Sequence, residues 1–493
     1  MSFHDDSNPA ALYLSLDQGG QSSRALVFDD DGRVVASASR TIRTFCPRAG
    51  EVEHDPVEVM ESVRDSVREA MLALGDDADR VIGAALATQR SSVVWWRASD
   101  GHALTPVLSW QDRRTAPEID RWSEHAERIR AISGLRLSPY YGATKLRWGW
   151  QHADEVRVAA RSDDLRGGPL STYVTEALCA ERPFVVDPSN GGRTLLLDAQ
   201  SLEWSPFLLE QFEIPEELLP RVVPTRAHFG TIEVEGAPSV PLRVVTGDQG
   251  AAVFANGELA ADTALVNLGT GGFVLRLVEP SISVPSSLLR SVVYHDSTTT
   301  HVAIEGTVHG VGAGLHWLAE SREVDAIESR LDAWCARVAS PPVFVNAVAG
   351  LGSPEWRSDV ASAFVASDGS RWIEPFGDVA AEVVAWMESV VFAVVRNLRA
   401  MPSSLPILER IELTGGVARL DPLCQRLADL TGCSVFRSHE TEATARGAAW
   451  LLRGGRAWPG SFDTFRPQPS PTLSQRFERW EETLAQAVRG ADG

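Results

Sequence analysis

Cysteine is scarce in this chain of 493 residues, and its five cysteines are scattered without a CxxC pair. We therefore expect neither a disulfide framework nor a zinc site. The scattered cysteines favour a reducing, cytoplasmic environment. The chain also lacks a GxxxxGK[ST] loop, an HExxH pair, a GxSxG elbow and a GxGxxG turn after a strand. Their absence argues against a P-loop nucleotidase, a zinc protease, a serine hydrolase and a dinucleotide enzyme.

Positive charge is in deficit, with 46 Lys and Arg against 66 Asp and Glu and a formal net charge of −20. A surface of this sign repels nucleic acid and anionic membranes, so neither is an expected partner. The N-terminal residues MSFHDDSNPAALYL lack a basic segment followed by an apolar run, which predicts no signal peptide. The most apolar run, 383–398, is interrupted by Glu388 and Arg396 and has helical periodicity, so it predicts a core helix.

The length exceeds what one hydrophobic core usually supports, which predicts two domains. Each half opens with a strand, a turn of small residues and a returning strand, at 12–16 and 25–28 and again at 263–268 and 273–277. Strands alternate with helices afterwards, which indicates an α/β fold. We place the boundary between domains 1–254 and 255–493, facing one another across a cleft. The polar tail after residue 465 is expected to be peripheral and to end in an amphipathic helix.

The turn after the first strand, DQGGQSSR, has the composition of a phosphate-binding turn. Adjacent glycines, including Gly20, let backbone N–H groups approach a phosphate, and Ser22 adds a hydroxyl. Arg24 could neutralise charge, and Asp17 could hold Mg²⁺ through water. The alternative is an ordinary polar hairpin turn.

Two further small-residue turns lie in the second half. The turn GTGG contains Thr270 and matches the first turn in composition, and Gly415-Gly416 lies between a strand and a helix. Turns of this kind, one in each half, could bind a triphosphate. Gly415-Gly416 is also typical of a tight strand–helix connection, and that alternative stays open.

The segment Gly247-Asp248-Gln249 follows the apolar strand 242–245. A carboxylate at the carboxyl end of a strand in an open α/β sheet faces the crevice where ligands bind. Phosphoryl transfer to an alcohol needs one group that accepts the hydroxyl proton, and Asp248 is a candidate for that group. The alternative is that Asp248 caps the helix predicted over 249–254.

Arg90 and Trp110 also follow buried strands, and Tyr140 lies in the polar segment SPYYGATK. A guanidinium donates hydrogen bonds to hydroxyl groups, and an indole face packs against C–H groups, so both suit a polyol. The alternatives are an arginine paired with a structural carboxylate and aromatic residues of the core.

Ten segments together resemble the FGGY family of carbohydrate kinases over about residues 12–480, and within it most closely the glycerol kinases. They occur in the family's order: LDQGGQSSRALVFD, GEVEHDP, TQRSSVVW, WQDRRT, SPYYGATKLRW, SNGGRTLLLD, GDQGAAVF, GTGGF, GLGSPEW and TGGVARLDPLCQ. The resemblance implies two actin-like, ribonuclease H-like domains, each a mixed sheet covered by helices. It implies an ATP- and Mg²⁺-dependent kinase of a small polyol or sugar, with the substrate on the N-terminal side and the nucleotide on the C-terminal side. It leaves a homodimer or homotetramer possible.

The resemblance also assigns site residues, with Asp248 as the general base. The substrate positions are Arg90, Ser91, Trp110, Tyr140, Asp248, Gln249 and Phe273. The nucleotide positions are Gly20, Gln21, Ser22, Arg24, Thr270, Gly312, His316, Gly416 and Leu420.

The chain departs from the glycerol kinases at several of these positions. Ser91 stands where they carry a glutamate, which favours a substrate larger than glycerol, of the erythritol, xylulose or ribulose type. Gly20 and Gln21 replace threonines, and His316 and Leu420 replace a glutamine and an asparagine, so the purine preference is open. A nucleotide-binding regulator without catalysis is a further alternative. An actin-like ATPase would not explain the polyol-type residues.

Overall fold

The computed structural model describes residues 11–374, 378–455, 458 and 460–491. The prediction that the chain lacks a signal peptide falls largely on residues 1–10, which lie outside the described residues. Over the part of the chain that is described, no helix combines the length and the apolar character needed to cross a bilayer. The apolar run predicted to be a core helix is confirmed as part of a helix at Val379–Ala400, with 15 buried residues.

Strands and helices alternate along the whole described chain. The strands up to residue 254 are β1 Leu12–Gln18, β2 Ser22–Phe28, β3 Val34–Thr41, β4 Glu53–His54, β5 Val81–Thr88, β6 Val93–Arg97, β7 Val107–Leu108, β8 Leu165–Pro169, β9 Val185–Val186, β10 Arg221–Val222, β11 Arg226–Ile232 and β12 Val240–Gly247. The α-helices of this part are α1 Pro56–Leu74, α2 Ala126–Ser133, α3 Gly142–His152, α4 Asp154–Arg161, α5 Leu170–Leu178, α6 Pro188–Gly191, α7 Pro206–Phe212 and α8 Asp248–Ala252.

The second part of the chain has the same alternation. Its strands are β13 Thr263–Leu268, β14 Gly272–Val278, β15 Leu289–His295, β16 Thr300–Val308, β17 Val343–Val345, β18 Ala363–Val365, β19 Arg371–Trp372, β20 Arg410–Thr414, β21 Ser434–Ser438 and β22 Phe462–Phe465. Its α-helices are α9 Gly312–Ser321, α10 Ile327–Arg337, α11 Val379–Ala400, α12 Asp421–Thr431, α13 Ala443–Arg453 and α14 Pro471–Ala491. Short 3-10 segments lie at Gly75–Arg80, Ala116–His125, Gly192–Thr194, Glu216–Leu218 and Gly416–Arg419.

The chain divides into two compact units. The first runs to Glu258 and also contains Arg290–Val302 and the segment from Glu442 that includes α13. The second contains Leu259–Leu289, Ala303–Thr441 and the segment from Gly460. The sequence predicted a boundary between residues 254 and 255, and the chain first leaves the first unit after residue 258. No local pattern indicated that two later segments return to the first unit.

The first unit is built on a six-stranded mixed sheet in the order β11-β12-β5-β1-β2-β3. Strands β1, β5 and β12 run parallel, and β1, β2 and β3 pair antiparallel, which confirms the predicted strand–turn–strand opening of the first half. Helix α1 covers this sheet with its buried apolar residues, and Asp55 caps it by accepting from the N–H of Val57 at 2.8 Å. A separate four-stranded sheet follows the order β4-β7-β6-β8.

In the second unit, strands β16, β14, β13, β20, β21 and β22 lie side by side in this order. Strand β13 pairs antiparallel with β14 and parallel with β20, which pairs parallel with β21. The predicted strand–turn–strand opening of the second half is therefore confirmed. Helix α11 lies in the core of this unit, and three short strands form a further sheet, β17-β18-β19.

The expectation that the C-terminal tail is peripheral is wrong. Helix α14 buries Leu473, Phe477, Trp480 and Leu484 in the core of the second unit. The indole N–H of Trp480 donates to the carbonyl of Phe344 at 3.0 Å. An amphipathic helix with two aromatic residues on its apolar face stabilises the chain by burying that face.

Candidate active site

Three neighbouring parallel strands of the first unit end at one edge of the six-stranded sheet. In the register of β1, β5 and β12, Gln18 lies opposite Thr88, and Thr88 lies opposite Gly247. Asp17 is next to Gln18 at the end of β1. Arg90 lies two residues after the end of β5, and Asp248 directly follows the end of β12. Residues far apart in the sequence are therefore brought together where ligands bind in open α/β sheets.

Asp248 is the first residue of α8, and Gly247 occupies the cap position. Its Oδ1 accepts a hydrogen bond from the N–H of Gln249 at 2.7 Å and lies 3.6 Å from Nε of Arg90. The Asp248 side chain is 31% exposed. The alternative that Asp248 caps the helix is therefore wrong, because Gly247 is the cap and makes no side-chain capping bond. The partly exposed Asp248 presents carboxylate surface to a ligand.

Arg90 contacts both predicted ligand residues at the start of α8. Its side chain is only 7% exposed, and its Nη2 donates to Oε1 of Gln249. A buried guanidinium with fixed donors holds its neighbours in one orientation. Arg90 is therefore paired with a carboxylate, and that carboxylate belongs to the candidate site residue Asp248.

Sequence reasoning assigned no role to the residues that hold the backbone before Asp248. Buried Ser189, in the SNGGRT segment, accepts a hydrogen bond from the N–H of Gly247 at 2.7 Å. Its hydroxyl donates to buried Asp187 at 2.5 Å, and Asn190 donates to the same carboxylate at 2.7 Å. Burial raises the pKa of Asp187, whereas the bonds from Ser189 and Asn190 lower it. The only sequence signal was the place of this segment within the family pattern.

Two of the aromatic substrate candidates, Trp110 and Tyr140, are surface residues of the first unit. Trp110 is 44% exposed and Tyr140 is 40% exposed, which contradicts the alternative that they belong to the core. A Cβ atom on Gly20 would lie 3.8 Å from Nε1 of Trp110, so the first turn and this indole are neighbours. The guanidinium of Arg113 lies 5.5 Å from the centre of the Tyr140 ring. An exposed indole and phenol beside polar groups are the surfaces that polyols contact.

Ser91 has a left-handed backbone, with φ of 65°. Non-glycine residues adopt this conformation at a cost of about 1–3 kcal/mol unless the surroundings stabilise it, and such residues cluster at ligand sites. Its side chain is short and half-buried.

The first turn is a tight hairpin whose tip consists of Gly20 and Gln21. The N–H of Gly19 donates to the carbonyl of Ser22 at 2.9 Å, which closes the turn. The hairpin alternative is therefore correct as a description of local structure. It is compatible with phosphate binding, since Gln21 at the tip is exposed and Ser22 is half-buried.

Asp17 lies almost buried in β1, with 6% of its surface exposed. Arg24 pairs with it at 3.3 Å and with Glu442 at 2.5 Å. Burial raises the pKa of Asp17 to about 7, the Arg24 charge lowers it, and the charges of Asp248 and Glu442 raise it. A carboxylate held in this way gains from a nearby cation.

The carboxylate of Asp17 suits a magnesium ion that is held mainly by water and phosphate, and not one enclosed by several protein ligands. In the described ranges, no group of three or more His, Cys, Asp or Glu side chains could hold a metal. Mg²⁺ in phosphate-transfer sites is commonly held by one or two carboxylates, waters and the substrate phosphates. Asp17 suits that role through water.

In the second unit, the β13–β14 turn is tied to the start of α9. Gly312 and Ala313 donate their N–H groups to the carbonyls of Gly269 and Thr270, each at 3.0 Å. Thr270 is exposed at the tip of the turn, and Phe273 is half-buried in β14. His316, one turn into α9, is exposed and lies 3.2 Å from Glu320.

The glycine pair after β20 has two different environments. Gly415 has φ of 98°, and a Cβ there would lie 2.4 Å from the carbonyl oxygen of Leu268, so this position requires glycine for structural reasons. A Cβ on Gly416 would meet no described atom within 4 Å, so its backbone is open to a ligand. Leu420 is 6% exposed and packs in the core, so any contact it makes with a nucleotide would come from its backbone.

Comparison with known proteins matches most of the chain to one family. Residues 12–255 match the N-terminal domain of the FGGY family of carbohydrate kinases, and residues 264–453 match its C-terminal domain. A glycerol kinase of Methylibium petroleiphilum is 31% identical over 494 aligned positions, which cover 96% of this chain and 99% of the relative.

Solved structures share the fold. Plasmodium falciparum glycerol kinase with ADP superposes with a TM-score of 0.84 and 23% identity, over 97% of this chain and 98% of that one. Xylulose kinase from Rhodospirillum rubrum superposes with a TM-score of 0.84 and 20% identity, over 98% and 100% of the two chains. At these identities the likeness concerns architecture, and it confirms the predicted actin-like fold of two domains with mixed, helix-covered sheets.

Proposed function

Because the chain belongs to the FGGY family of carbohydrate kinases and is thus an ATP-dependent kinase of a sugar or polyol, we propose that it phosphorylates a terminal hydroxyl of a small polyol with Asp248 as the general base. The observation that supports this role is the place of Asp248. It stands at the end of three parallel strands, partly exposed, with Arg90 at 3.6 Å.

In the proposed reaction the protein positions the two substrates and supplies one group that accepts the hydroxyl proton. A substrate hydroxyl donates its proton to the exposed part of the Asp248 carboxylate as the phosphoryl group is transferred. Arg90 and Gln249 orient the remaining hydroxyls, because their donors and acceptors are fixed by their mutual hydrogen bond. Trp110 packs against the C–H groups, and Tyr140 supplies a phenolic hydroxyl.

The nucleotide positions are proposed on the same basis. Bound Mg-ATP supplies the γ-phosphoryl group and neutralises charge on the phosphates. In the first unit, Gly20, Gln21 and Ser22 offer a turn tip to the phosphates, and Arg24 offers a positive charge. Asp17 would hold Mg²⁺ through water. In the second unit we propose Thr270, Gly312, His316, Gly416 and Leu420 as the nucleotide positions and Phe273 as a substrate position.

Ser91 favours a second candidate substrate. A glutamate at this place would accept hydrogen bonds from polyol hydroxyls, and a serine both removes that acceptor and leaves room. A longer polyol or a ketose of the erythritol, xylulose or ribulose type is therefore the alternative to glycerol.

The location and the assembly of the protein are also proposals. Its five free thiols suit a reducing compartment, so we expect the kinase to act in the cytoplasm. Assembly as a homodimer or homotetramer stays a prediction.

An ADP-release assay against glycerol, erythritol, xylulose and ribulose tests the function. We expect turnover of at least one of them, and a loss of about 10²–10⁴ in kcat for Asp248→Asn. The matched control is Asp79→Asn, since Asp79 is exposed and precedes β5 at the opposite edge of the sheet. Release of ADP with none of the four compounds would favour the nucleotide-binding regulator. An unchanged kcat in Asp248→Asn would reject Asp248 as the base.

A further inference from the structure

Lys145 joins three separate segments of the first unit. Its ammonium group donates to the carbonyl oxygens of Ser91 at 2.7 Å, Ser109 at 2.9 Å and Tyr140 at 3.0 Å. The Lys145 side chain is completely buried. Two of the acceptors belong to proposed substrate residues, and the third precedes Trp110 in the chain.

The approach of α3 to β6 places Lys145 between these segments. Cβ atoms on Gly142 and Gly149 would lie 3.0 Å from Val93 and 2.6 Å from Trp95, so glycine at both positions lets the helix lie against the strand. Lys145 is three residues after the first glycine and four before the second. It therefore projects from the same face of the helix.

The three hydrogen bonds use the whole donor capacity of the side chain. A lysine ammonium has three N–H donors, and each of them has a backbone carbonyl as its acceptor. Lys145 thus has no donor left for a phosphate or a substrate hydroxyl. Its contacts act on the backbone that carries other side chains.

The contact with Ser91 also explains a strained backbone. Ser91 has φ of 65°, and its carbonyl makes the shortest of the three hydrogen bonds. Hydrogen bonds to charged donors are stronger than neutral ones, so this bond offsets the cost of the left-handed conformation.

We propose that Lys145 is the positioning residue that holds the segments of Ser91, Trp110 and Tyr140 in the arrangement that binds the alcohol substrate. This rests on the proposed function, because it assigns those three residues to the alcohol. Lys145 does not touch the substrate. Removing its donors therefore weakens binding of the alcohol and leaves binding of the nucleotide unchanged.

The test compares two buried cations of α3. Lys145→Met removes the three donors, whereas Arg147→Met removes a buried guanidinium that pairs with Glu118 at 2.9 Å and Glu213 at 3.2 Å. We expect Lys145→Met to raise KM for the alcohol about tenfold or more, with KM for ATP within twofold of the parental value. Arg147→Met is expected to leave both KM values unchanged. An alcohol KM within twofold of the parental value in folded Lys145→Met overturns the proposal.

A second readout needs no substrate. Amide hydrogen exchange of the full-length protein should accelerate in segments 89–92, 109–112 and 138–141 of Lys145→Met and in none of them in Arg147→Met. Unchanged exchange in these segments overturns the proposal. Absence of ADP release by the parental protein rejects the proposed function instead, and the exchange result still decides whether Lys145 holds the segments.

Lys145→Gln covers the case in which the methionine variant does not fold. Glutamine keeps two N–H donors, so we expect a rise of about threefold or more in alcohol KM with KM for ATP unchanged. An alcohol KM within twofold of the parental value in this variant counts against the proposal. If neither variant folds while Arg147→Met does, Lys145 supports the whole unit, and the proposal is overturned.

Discussion

The side-chain oxygen of Ser189 lies 2.7 Å from the backbone nitrogen of Gly247, the residue that precedes Asp248. The same oxygen donates to the buried carboxylate of Asp187 at 2.5 Å and lies 3.2 Å from Oγ1 of Thr246. A buried hydrogen-bonded chain thus fixes the point where β12 ends and α8 begins. Asp248 depends on it for its position, although Ser189 lies 59 residues earlier in the sequence.

Replacement of Ser189 by alanine tests this dependence. The change leaves the N–H of Gly247 without its acceptor and removes one of the two hydrogen bonds to Oδ2 of Asp187, which keeps the bond from the backbone N–H of Ser189. We expect a cost of about 1–3 kcal/mol of stability. Because Asp248 shifts with the backbone, we expect kcat to fall about tenfold or more. Urea unfolding and ADP release measure the two effects.

The matched control is Ser171→Ala. Ser171 is equally buried, but its hydroxyl has no hydrogen-bond partner among the described residues. We expect its unfolding free energy to change by less than about 0.5 kcal/mol and its kcat to stay constant. Equal losses in the two variants would show that Ser189 acts only through packing.

Restoration of an acid at residue 91 tests the origin of substrate preference. Ser91→Glu should improve kcat/KM for glycerol about tenfold relative to erythritol, xylulose and ribulose, because a carboxylate that accepts from a buried hydroxyl contributes about 1–3 kcal/mol. Ser91→Gln keeps the length without the charge and should give a smaller shift. If the preference order is the same in all three proteins, residue 91 does not set it.

The adjacent glycines after β20 should respond differently to alanine. Gly415→Ala places a methyl group 2.4 Å from the carbonyl oxygen of Leu268 at a residue with φ of 98°, so we expect a lower Tm. Gly416→Ala meets open space, so its Tm should stay constant while KM for ATP rises severalfold. Thermal unfolding and ATP titration separate the two effects. A normal KM for ATP in Gly416→Ala would remove this residue from the nucleotide site.

The burial of Lys145 predicts a pH-dependent stability. Burial lowers the pKa of Lys145 from 10.5 to about 7, while the nearby Asp112 charge raises it and the Arg114 charge lowers it. Between pH 7 and 10.5 the unfolded chain retains a proton that the folded chain has lost, so the unfolding free energy rises with pH. The three hydrogen bonds described above belong to the ammonium form, and above pH 7 the folded side chain keeps two N–H donors for the three carbonyls. Below pH 7 both states carry the proton, and this contribution is constant.

The comparison of the parental protein with Lys145→Met isolates this group. Relative to that of Lys145→Met, the unfolding free energy of the parental protein should rise by about 1 kcal/mol per pH unit above pH 7. Urea unfolding at pH 7, 8 and 9 measures it. A difference that is constant over this range would mean that Lys145 keeps a nearly normal pKa when folded.

Local pattern predicted much of the fold and part of the candidate site. The hairpin at Gly20 and the core helix α11 follow from turn residues and apolar periodicity, which act over a few neighbouring positions. Asp248 and Arg90 were predicted as site residues because each follows an apolar strand, and their roles stay a prediction. The order of the motifs along the chain identified the family.

Burial was harder to predict from the same patterns. Helix α14 was predicted to be amphipathic, but its sequence does not show which part of the chain covers Phe477 and Trp480. The aromatic residues Trp110 and Tyr140 could equally have been core residues, and only the packing of the first unit leaves them exposed.

The sequence by itself determined which segments form strands, turns and helices and which chemical groups stand at the strand ends, because those properties depend on near neighbours. The tertiary structure decided which groups meet. Arg24 pairs with Glu442 across 418 residues, and Lys145 gathers three carbonyls from separate segments. Such contacts arise from the shared burial of distant segments, and that burial is a property of the folded unit as a whole.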